Sequence, residues 1–192
     1  MFILHLPTLQ IMIIIKNTVS RQSYIHGAQN VEMKGKSIVH PKAHIRGDIA
    51  NIRIGRYCTI GPNTIIRPPS YQKSLLQHQN NNKLQFLPSI IGNHTRIGSN
   101  CVIESASIGS CVYIANNVVI SKRVIIKDCC YIEEGSVIPS DTVIPPFSRV
   151  SGCPAKIAMS DPYLVIPESV ATSFVEDAVD GFTEFVDNLH QE

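Results

Sequence analysis

A chain of 192 residues is long enough to bury a sizeable core, yet it has no Trp and only six Phe and six Tyr, so aliphatic side chains must supply most of that core. The formal net charge of +2, with no basic block, argues against a nucleic-acid partner. The six cysteines, Cys58, Cys101, Cys111, Cys129, Cys130 and Cys153, contain no Cys-x-x-Cys spacing and read as reduced packing thiols of a cytosolic protein.

Residues 1–15, MFILHLPTLQIMIII, are the most apolar stretch. They lack the positive amino-terminal region and small-residue cleavage site of a secretory signal, and His5, Pro7 and Gln10 interrupt a membrane span. The stretch through residue 18 is expected to be an extension or cap over a first open coil. From Val19 to Val39 the pattern is mixed, with Gly27 and Gly35 as turn signals, and reads as that opening coil. Next comes a charged segment in which Arg46 and Asp48 share strand parity and are expected to form a structural ion pair.

Isoleucine then recurs at a fixed interval. It stands at Ile54, Ile60 and Ile66, again at Ile91, Ile97 and Ile103, and then every six residues from Ile108 through Ile114, Ile120, Ile126, Ile132 and Ile138 to Ile144. A helix would place apolar partners three, four and seven apart, whereas six is three steps of strand alternation, so each isoleucine points inward if the chain turns once per repeat. The residue two positions earlier is small or β-branched: Cys58, Thr64, Thr95, Cys101, Val112, Val118, Val124, Cys130, Ser136, Thr142. Glycine follows the isoleucine at positions 55, 61, 92, 98 and 109, where a tight corner is expected. The step from Ile103 to Ile108 is five, which places a one-residue deletion at a corner. Three hexads per turn give a triangular coil of 18 residues, and the fold read from this pattern is all-β, a single-stranded parallel β-helix over residues 19–152.

Between residues 67 and 90 the register is lost. Pro68-Pro69 cannot continue a central strand, and the Asn80-Asn81-Asn82 run reads as a solvated loop tip. Leu84, Phe86 and Leu87 either pack back on the wall or form an apolar patch for a partner. The repeats stop at Ile144-Pro145-Pro146-Phe147, and residues 153–167 form a linker. From 168 to 190 the period becomes helical, with Val170, Phe174, Ala178, Phe182, Phe185 and Leu189 on one stripe, an acidic outer face and Gly181 weakening the middle.

A hexapeptide solenoid resembles two enzyme classes, the acyltransferases of this repeat type and the gamma class of carbonic anhydrases. That resemblance, not the general rule for parallel crossovers, implies a left-handed coil. Setting the chain on the anhydrase pattern puts Arg67, Ser99 and Glu104 where three zinc-binding histidines would stand, and Gly61 where a polar side chain near the metal would be. A guanidinium cannot donate to a metal, so the expectation is a relative of that fold without its metal site: no catalytic residues, no metal and no cofactor. His40 and His44 share parity without a third partner. An acyltransferase would need a base such as His78 or His94 facing a groove, and only the fold favours that class.

Several blocks resemble the dynactin subunit 5 family more specifically. They are Val19-Ser20-Arg21-Gln22-Ser23, the run from Ile45 to Arg56, Ile66-Arg67-Pro68-Pro69, Phe86-Leu87-Pro88, Ile91-Gly92-Asn93-His94, Ile126-Lys127-Asp128-Cys129-Cys130, Val143-Ile144-Pro145-Pro146-Phe147 and Ser151-Gly152-Cys153-Pro154. The resemblance covers about residues 18–156. It implies a cytoplasmic, cytoskeleton-associated scaffold in the dynactin pointed-end complex, a hetero-oligomer with dynactin subunit 6, dynactin subunit 4 and the pointed-end actin-related protein. It further implies dynein-dependent transport in which membrane cargo is met only indirectly and nucleic acid not at all. Arg67, Pro68, Pro69, Phe86 and Leu87 are the expected partner-contact region, and the carboxyl-terminal helix a second.

Overall fold

The computed structural model describes residues 17–72, 84–157 and 166–189. The expectations for residues 1–15, for His78, for the Asn80–Asn82 tip and for the middle of the linker fall outside these residues. The repeats form a parallel β-solenoid of about six turns whose strands line up in three sheets. The first coil is β1 (Thr18–Val19), β2 (Tyr24–His26) and β3 (Val31–Gly35), and the second β4 (Ile38–Val39), β5 (His44–Arg46) and β6 (Ile52–Arg56). In the third, β7 (Thr59–Ile60) and β8 (Ile65–Ile66) are followed by a hairpin, β9 (Ser70–Gln72) with β10 (Leu84–Phe86), before β11 (Ser89–Ile91) rejoins the stack. Coils four to six are β12 (Arg96–Ile97), β13 (Val102–Ile103), β14 (Ser107–Ile108); β15 (Tyr113–Ile114), β16 (Val119–Ile120), β17 (Ile125–Ile126); and β18 (Tyr131–Ile132), β19 (Val137–Ile138), β20 (Val143–Ile144). Then β21 (Arg149–Gly152) turns back on itself through β22 (Ala155–Ile157), and α1 (Glu168–Leu189) closes the described chain.

Every isoleucine of the hexad series is buried, and Ile108 pairs with Ile126, which pairs with Ile144, so identical side chains stack in columns 18 residues apart. The small inward slot does more than fill space. Its hydroxyls and thiols donate to carbonyls of the next coil: Cys58 Sγ to Gly92 at 3.0 Å, Thr64 Oγ1 to Gly98 at 2.7 Å, Thr95 Oγ1 to Gly109 at 2.9 Å and Cys130 Sγ to Pro145 at 3.1 Å. Buried polar atoms of this kind are normally paired; the slot hydroxyl of Ser136, at 0% exposure, is an exception without a partner. At the five-residue step Ser105 takes the slot, fully buried and with its hydroxyl unpaired, and that corner has no residue with positive φ.

The corners differ from the expectation about glycine. Three positions after ten of the isoleucines the residue is left-handed and not glycine, with φ between 53° and 62° at Tyr57, Asn63, His94, Asn100, Cys111, Asn117, Arg123, Cys129, Asp141 and Phe147; after Ile132 that place is taken by Gly135, at φ 69°. That conformation costs an L-residue about 1–2 kcal/mol. It is held by an amide aimed back at the preceding coil, as from His94 N–H to the Arg56 carbonyl (2.7 Å) and from Cys111 N–H to that of Asn93 (2.9 Å). Glycine after the isoleucine answers a different constraint. A Cβ on Gly92 would lie 2.4 Å from the Gly109 carbonyl carbon, and one on Gly109 would lie 2.4 Å from Asp128 Oδ1, which accepts the Ser110 N–H at 2.7 Å.

At the carboxyl-terminal end the residue after the isoleucine is proline, Pro139 on β19 and Pro145 on β20. The equivalent residues one coil earlier, Ser121 and Lys127, donate their amides to Ile138 and Ile144, so proline removes a donor that would have no coil to meet. The third sheet is covered at this end by β22. Ile166, itself buried, then brings α1 onto the wall of β4, β7, β12, β15 and β18 by donating to the Phe147 carbonyl at 2.9 Å. Phe174 meets Tyr113, Phe182 meets Tyr57 and Phe185 meets His40 at ring separations of 5.6–6.2 Å, so the helix runs back along the stack from the fifth coil to the second.

Two stability measurements check this account. Gly92→Ala should cost about 1–3 kcal/mol in denaturant unfolding because backbone, not a movable side chain, opposes the new methyl. Gly181→Ala should instead stabilise by about 0.5–1 kcal/mol, since nothing lies within 4 Å of a Cβ there and only helix propensity changes.

Candidate docking site around the hairpin

The hairpin leaves the stack at the corner between the wall of β8, β13, β16 and β19 and that of β11, β14, β17 and β20. Arg67 still belongs to the stack, its amide bonded to the Ile103 carbonyl at 3.0 Å, after which Pro68, Pro69 and Ser70 are buried. Leu87 N–H closes the hairpin root on the Pro69 carbonyl at 2.9 Å, and Ser89 N–H returns the chain to Asn51 at 3.0 Å. Two charged pairs fix this root. Arg67 Nε donates to Glu104 Oε1 at 2.7 Å, with the Glu104 side chain only 11% exposed. Arg123, a left-handed corner residue two coils on, grips both Asp141 oxygens at 2.6 Å and donates through Nη1 to the Ser70 carbonyl at 2.7 Å. The Arg123 guanidinium holds the Asp141 carboxyl below the usual carboxylate range, mainly through those hydrogen bonds.

Around this root the surface is apolar. Leu84 is 48% exposed, Ile90 45%, Phe86 38% and Ile65 37%, four of the six large hydrophobic side chains exposed among the described residues. A groove of about 930 Å³ lies between hairpin and corner, lined by Ser70, Tyr71, Leu84, Leu87, Lys122 and Arg123. Of the contact residues expected from sequence, Arg67 and Phe86 are therefore on the surface and Leu87 half-buried, while Pro68 and Pro69 face inward and serve the turn. Ile65 and Ile90 were missed, although their parity, one residue before Ile66 and Ile91, marks them as outward-facing aliphatics. Arg123 carried no local signal, because its partner Ser70 is 53 residues away.

Elsewhere, Arg46 and Asp48 form a two-pronged pair at 2.8 Å on each arm, both about 40% exposed, with the Asp48 carboxyl held low by those hydrogen bonds. Among the described histidines His26 and His44 lie in a stack with ring centres 6.5 Å apart, without a third beside them as a ligand. His44 stacks on Tyr24 (4.5 Å) rather than approaching His40, which lies under Phe185, its pKa lowered by burial and then by the Arg96 charge; His94 stacks on Tyr57 at 5.3 Å. Among the described residues no three His, Cys, Asp or Glu side chains converge as metal ligands would. Burial pushes the Cys58 and Cys130 thiols up to about 11, as it does the half-buried Cys111, so these groups stay protonated at neutral pH.

The sequence profile of dynactin subunit 5 matches residues 6–176. The chain belongs to the dynactin subunit 5 family. The match extends beyond the 18–156 core into the apolar amino-terminal stretch and the helix. Dynactin subunit 5 of Dictyostelium discoideum is 46% identical over 94 residues, which are 49% of this chain and 44% of that protein, so the aligned part spans less than half of the relative. Solved structures share the fold alone. A hexapeptide transferase family protein from Anaplasma phagocytophilum superposes with a TM-score of 0.62 at 17% identity, covering 87% of this chain and 89% of the other. The acetyltransferase domain of PglB from Neisseria gonorrhoeae FA1090 gives 0.57 at 14%, covering 74% and 58%. The family's solenoid is thus the left-handed hexapeptide-repeat β-helix. Within it the Lys127-Asp128-Cys129-Cys130 block has a structural reason at each of its last three positions: Asp128 caps the Ser110 amide, Cys129 takes the left-handed corner and Cys130 fills the inward slot.

Removing Arg67 leaves a nearly buried carboxylate, so Arg67→Ala should cost about 1–2 kcal/mol in unfolding experiments, and adding Glu104→Gln should recover most of it. Arg123→Ala should speed amide hydrogen exchange in β9 and β10 while the stack is unaffected. Acid should act the same way: the depressed Asp141 pKa makes the clamp fully present above the unfolded carboxylate value of about 3.9 and lost as pH falls below it.

Proposed function

We propose that this chain is a non-enzymatic scaffold subunit of the dynactin pointed-end complex that supports dynein-dependent movement on microtubules and cargo recruitment from the cytoplasm. Family membership supports the complex. The observation that carries the scaffold role is the rigid hairpin root with Ile65, Leu84, Phe86 and Ile90 gathered on its surface, larger than the isolated apolar residues a soluble surface carries by chance. Its partners on this reading are dynactin subunit 6, dynactin subunit 4 and the pointed-end actin-related protein. A flat, stiff wall with a projecting apolar arm suits association with a second rigid body, because little conformational entropy is lost on docking.

The Arg67–Glu104 pair also favours docking over chemistry, since a guanidinium stands where the anhydrase pattern wants a metal ligand. The solved structures that share the fold include acetyltransferases, and the experiment therefore carries an arm for each reading. Mixed with purified dynactin subunit 6 and analysed by light scattering, the chain should form a one-to-one complex, and Leu84→Asp with Phe86→Asp should weaken it at least tenfold. A homotrimer with stoichiometric zinc, or acetyl transfer from acetyl-coenzyme A, would sink the proposal.

A further inference from the structure

Of the six cysteines, two stand one above the other. Ile108 pairs with Ile126 and Tyr113 with Tyr131, so Cys111 and Cys129, at equal steps between those pairs, occupy the same corner of neighbouring rungs. Both are left-handed, with φ of 55° and 56°, so their Cβ atoms leave the stack in the same direction. The corner peptides are bonded to each other: Cys129 N–H donates to the Ser110 carbonyl at 2.9 Å, and Ser110 N–H donates to Asp128 Oδ1 at 2.7 Å. Rungs about 4.8 Å apart put the two α-carbons inside the roughly 4.4–6.8 Å that a disulfide spans. The remaining thiols are placed otherwise. Cys58, Cys101 and Cys130 turn inward and donate to carbonyls of the next coil, and Cys153 is exposed between β21 and β22. Core packing does not account for the stacked pair, since neither residue belongs to the inward slot, and other left-handed corners take Asn63, Asn100, Asn117 or Asp141, residue types that tolerate this conformation.

We propose that Cys111 and Cys129 are a modification site, at which a small-molecule disulfide of the glutathione type installs a cross-link between the entry of the fifth coil and that of the sixth. Cys111, the more exposed of the two, attacks first as its thiolate. Its Sγ bonds to one sulfur of oxidised glutathione, and the other sulfur leaves as a thiolate that takes up a proton. Cys129 Sγ then attacks Cys111 Sγ and the second glutathione leaves in the same way. The net change oxidises two protein thiols to one disulfide and reduces one glutathione disulfide to two thiols. Burial, then the neighbouring Cys129 and the Asp128 charge, push the Cys111 thiol up to about 11, so little thiolate is present at neutral pH and the first attack is slow. Cys129 acts on the Cys111 thiol and Cys111 on that of Cys129, as direct neighbours do. The second attack is therefore intramolecular, with the thiol already held beside its target.

Mass spectrometry of the full chain tests it, after incubation in mixtures of oxidised and reduced glutathione and alkylation in denaturant. As the oxidised share rises, two of the six thiols should disappear with the loss of two hydrogens, fragmentation should join Cys111 to Cys129, and dithiothreitol should restore both. Cys129→Asn introduces a residue that already stands at three left-handed corners, and it leaves Cys111 without its resolving partner. The glutathione adduct on Cys111 should then persist at least tenfold longer than in the unsubstituted chain. Six free thiols at every glutathione ratio overturn the proposal. So does a bridge from Cys130 or Cys153, a bridge between two chains, or an adduct of equal lifetime with and without Cys129. Should the Asn variant not fold, the bridge located by fragmentation of the unsubstituted chain decides the matter.

Discussion

Where the chain turns outward after Ile54, Ile91 and Ile108, the α-carbon of one coil lies so close to a peptide of the next that a Cβ would come within 2.4–2.5 Å of it or of its capping side chain. Parallel strands stack about 4.8 Å apart, and no side chain fits between them where the backbone itself faces the neighbouring rung. The rest of the solenoid follows from meeting that spacing at every corner. Glycine gives up its side chain so that Asn93, Asn116 or Asp128 of the next coil can reach a corner amide, and the inward hydroxyl or thiol takes a carbonyl on the other side. Each coil is thereby bonded to its neighbour by backbone, by slot and by corner side chain at once.

That redundancy explains how the corners tolerate Cys, Arg, Tyr and Phe in a left-handed conformation that isolated chains avoid. It also explains why the fold was legible. A six-residue aliphatic period is a direct image of three walls, and the columns Ile108–Ile126–Ile144 and Ile114–Ile132 stand as the interval requires. The reason for the glycines was not legible, because the sequence shows which residues follow an isoleucine but not how near the next rung comes. The same limit applied to the donor role of Cys58 and Cys130: a small inward residue is expected from packing alone, and only the distance to a carbonyl separates a filler from a hydrogen-bond partner.

The site was half visible for a related reason. Loss of period and Pro68-Pro69 located the excursion, and Phe86 was found because an aromatic in a polar loop stands out. The hairpin pairing of Ser70–Gln72 with Leu84–Phe86, and its anchoring by Arg123, are long-range events with no periodic trace. Pro68 and Pro69 looked like surface because prolines mark loops, yet they are buried: a chain leaving a stack without amide donors at those two positions has fewer groups to satisfy on the way out.

The Arg67–Glu104 pair links fold and function most closely. Glu104 has the parity of an outward residue but is pulled into cover at the shortened corner, where Ser105 moves into the core, and a carboxylate so placed needs a cation. The two residues fall at two of the three ligand positions in the anhydrase pattern, and here they are paired with each other instead. A guanidinium carried on the chain is permanent, and it fixes the hairpin root without depending on any ligand supply. The apolar arm is held to the stack by Arg67 on Glu104 at its root and by Arg123 on the Ser70 carbonyl at its first strand.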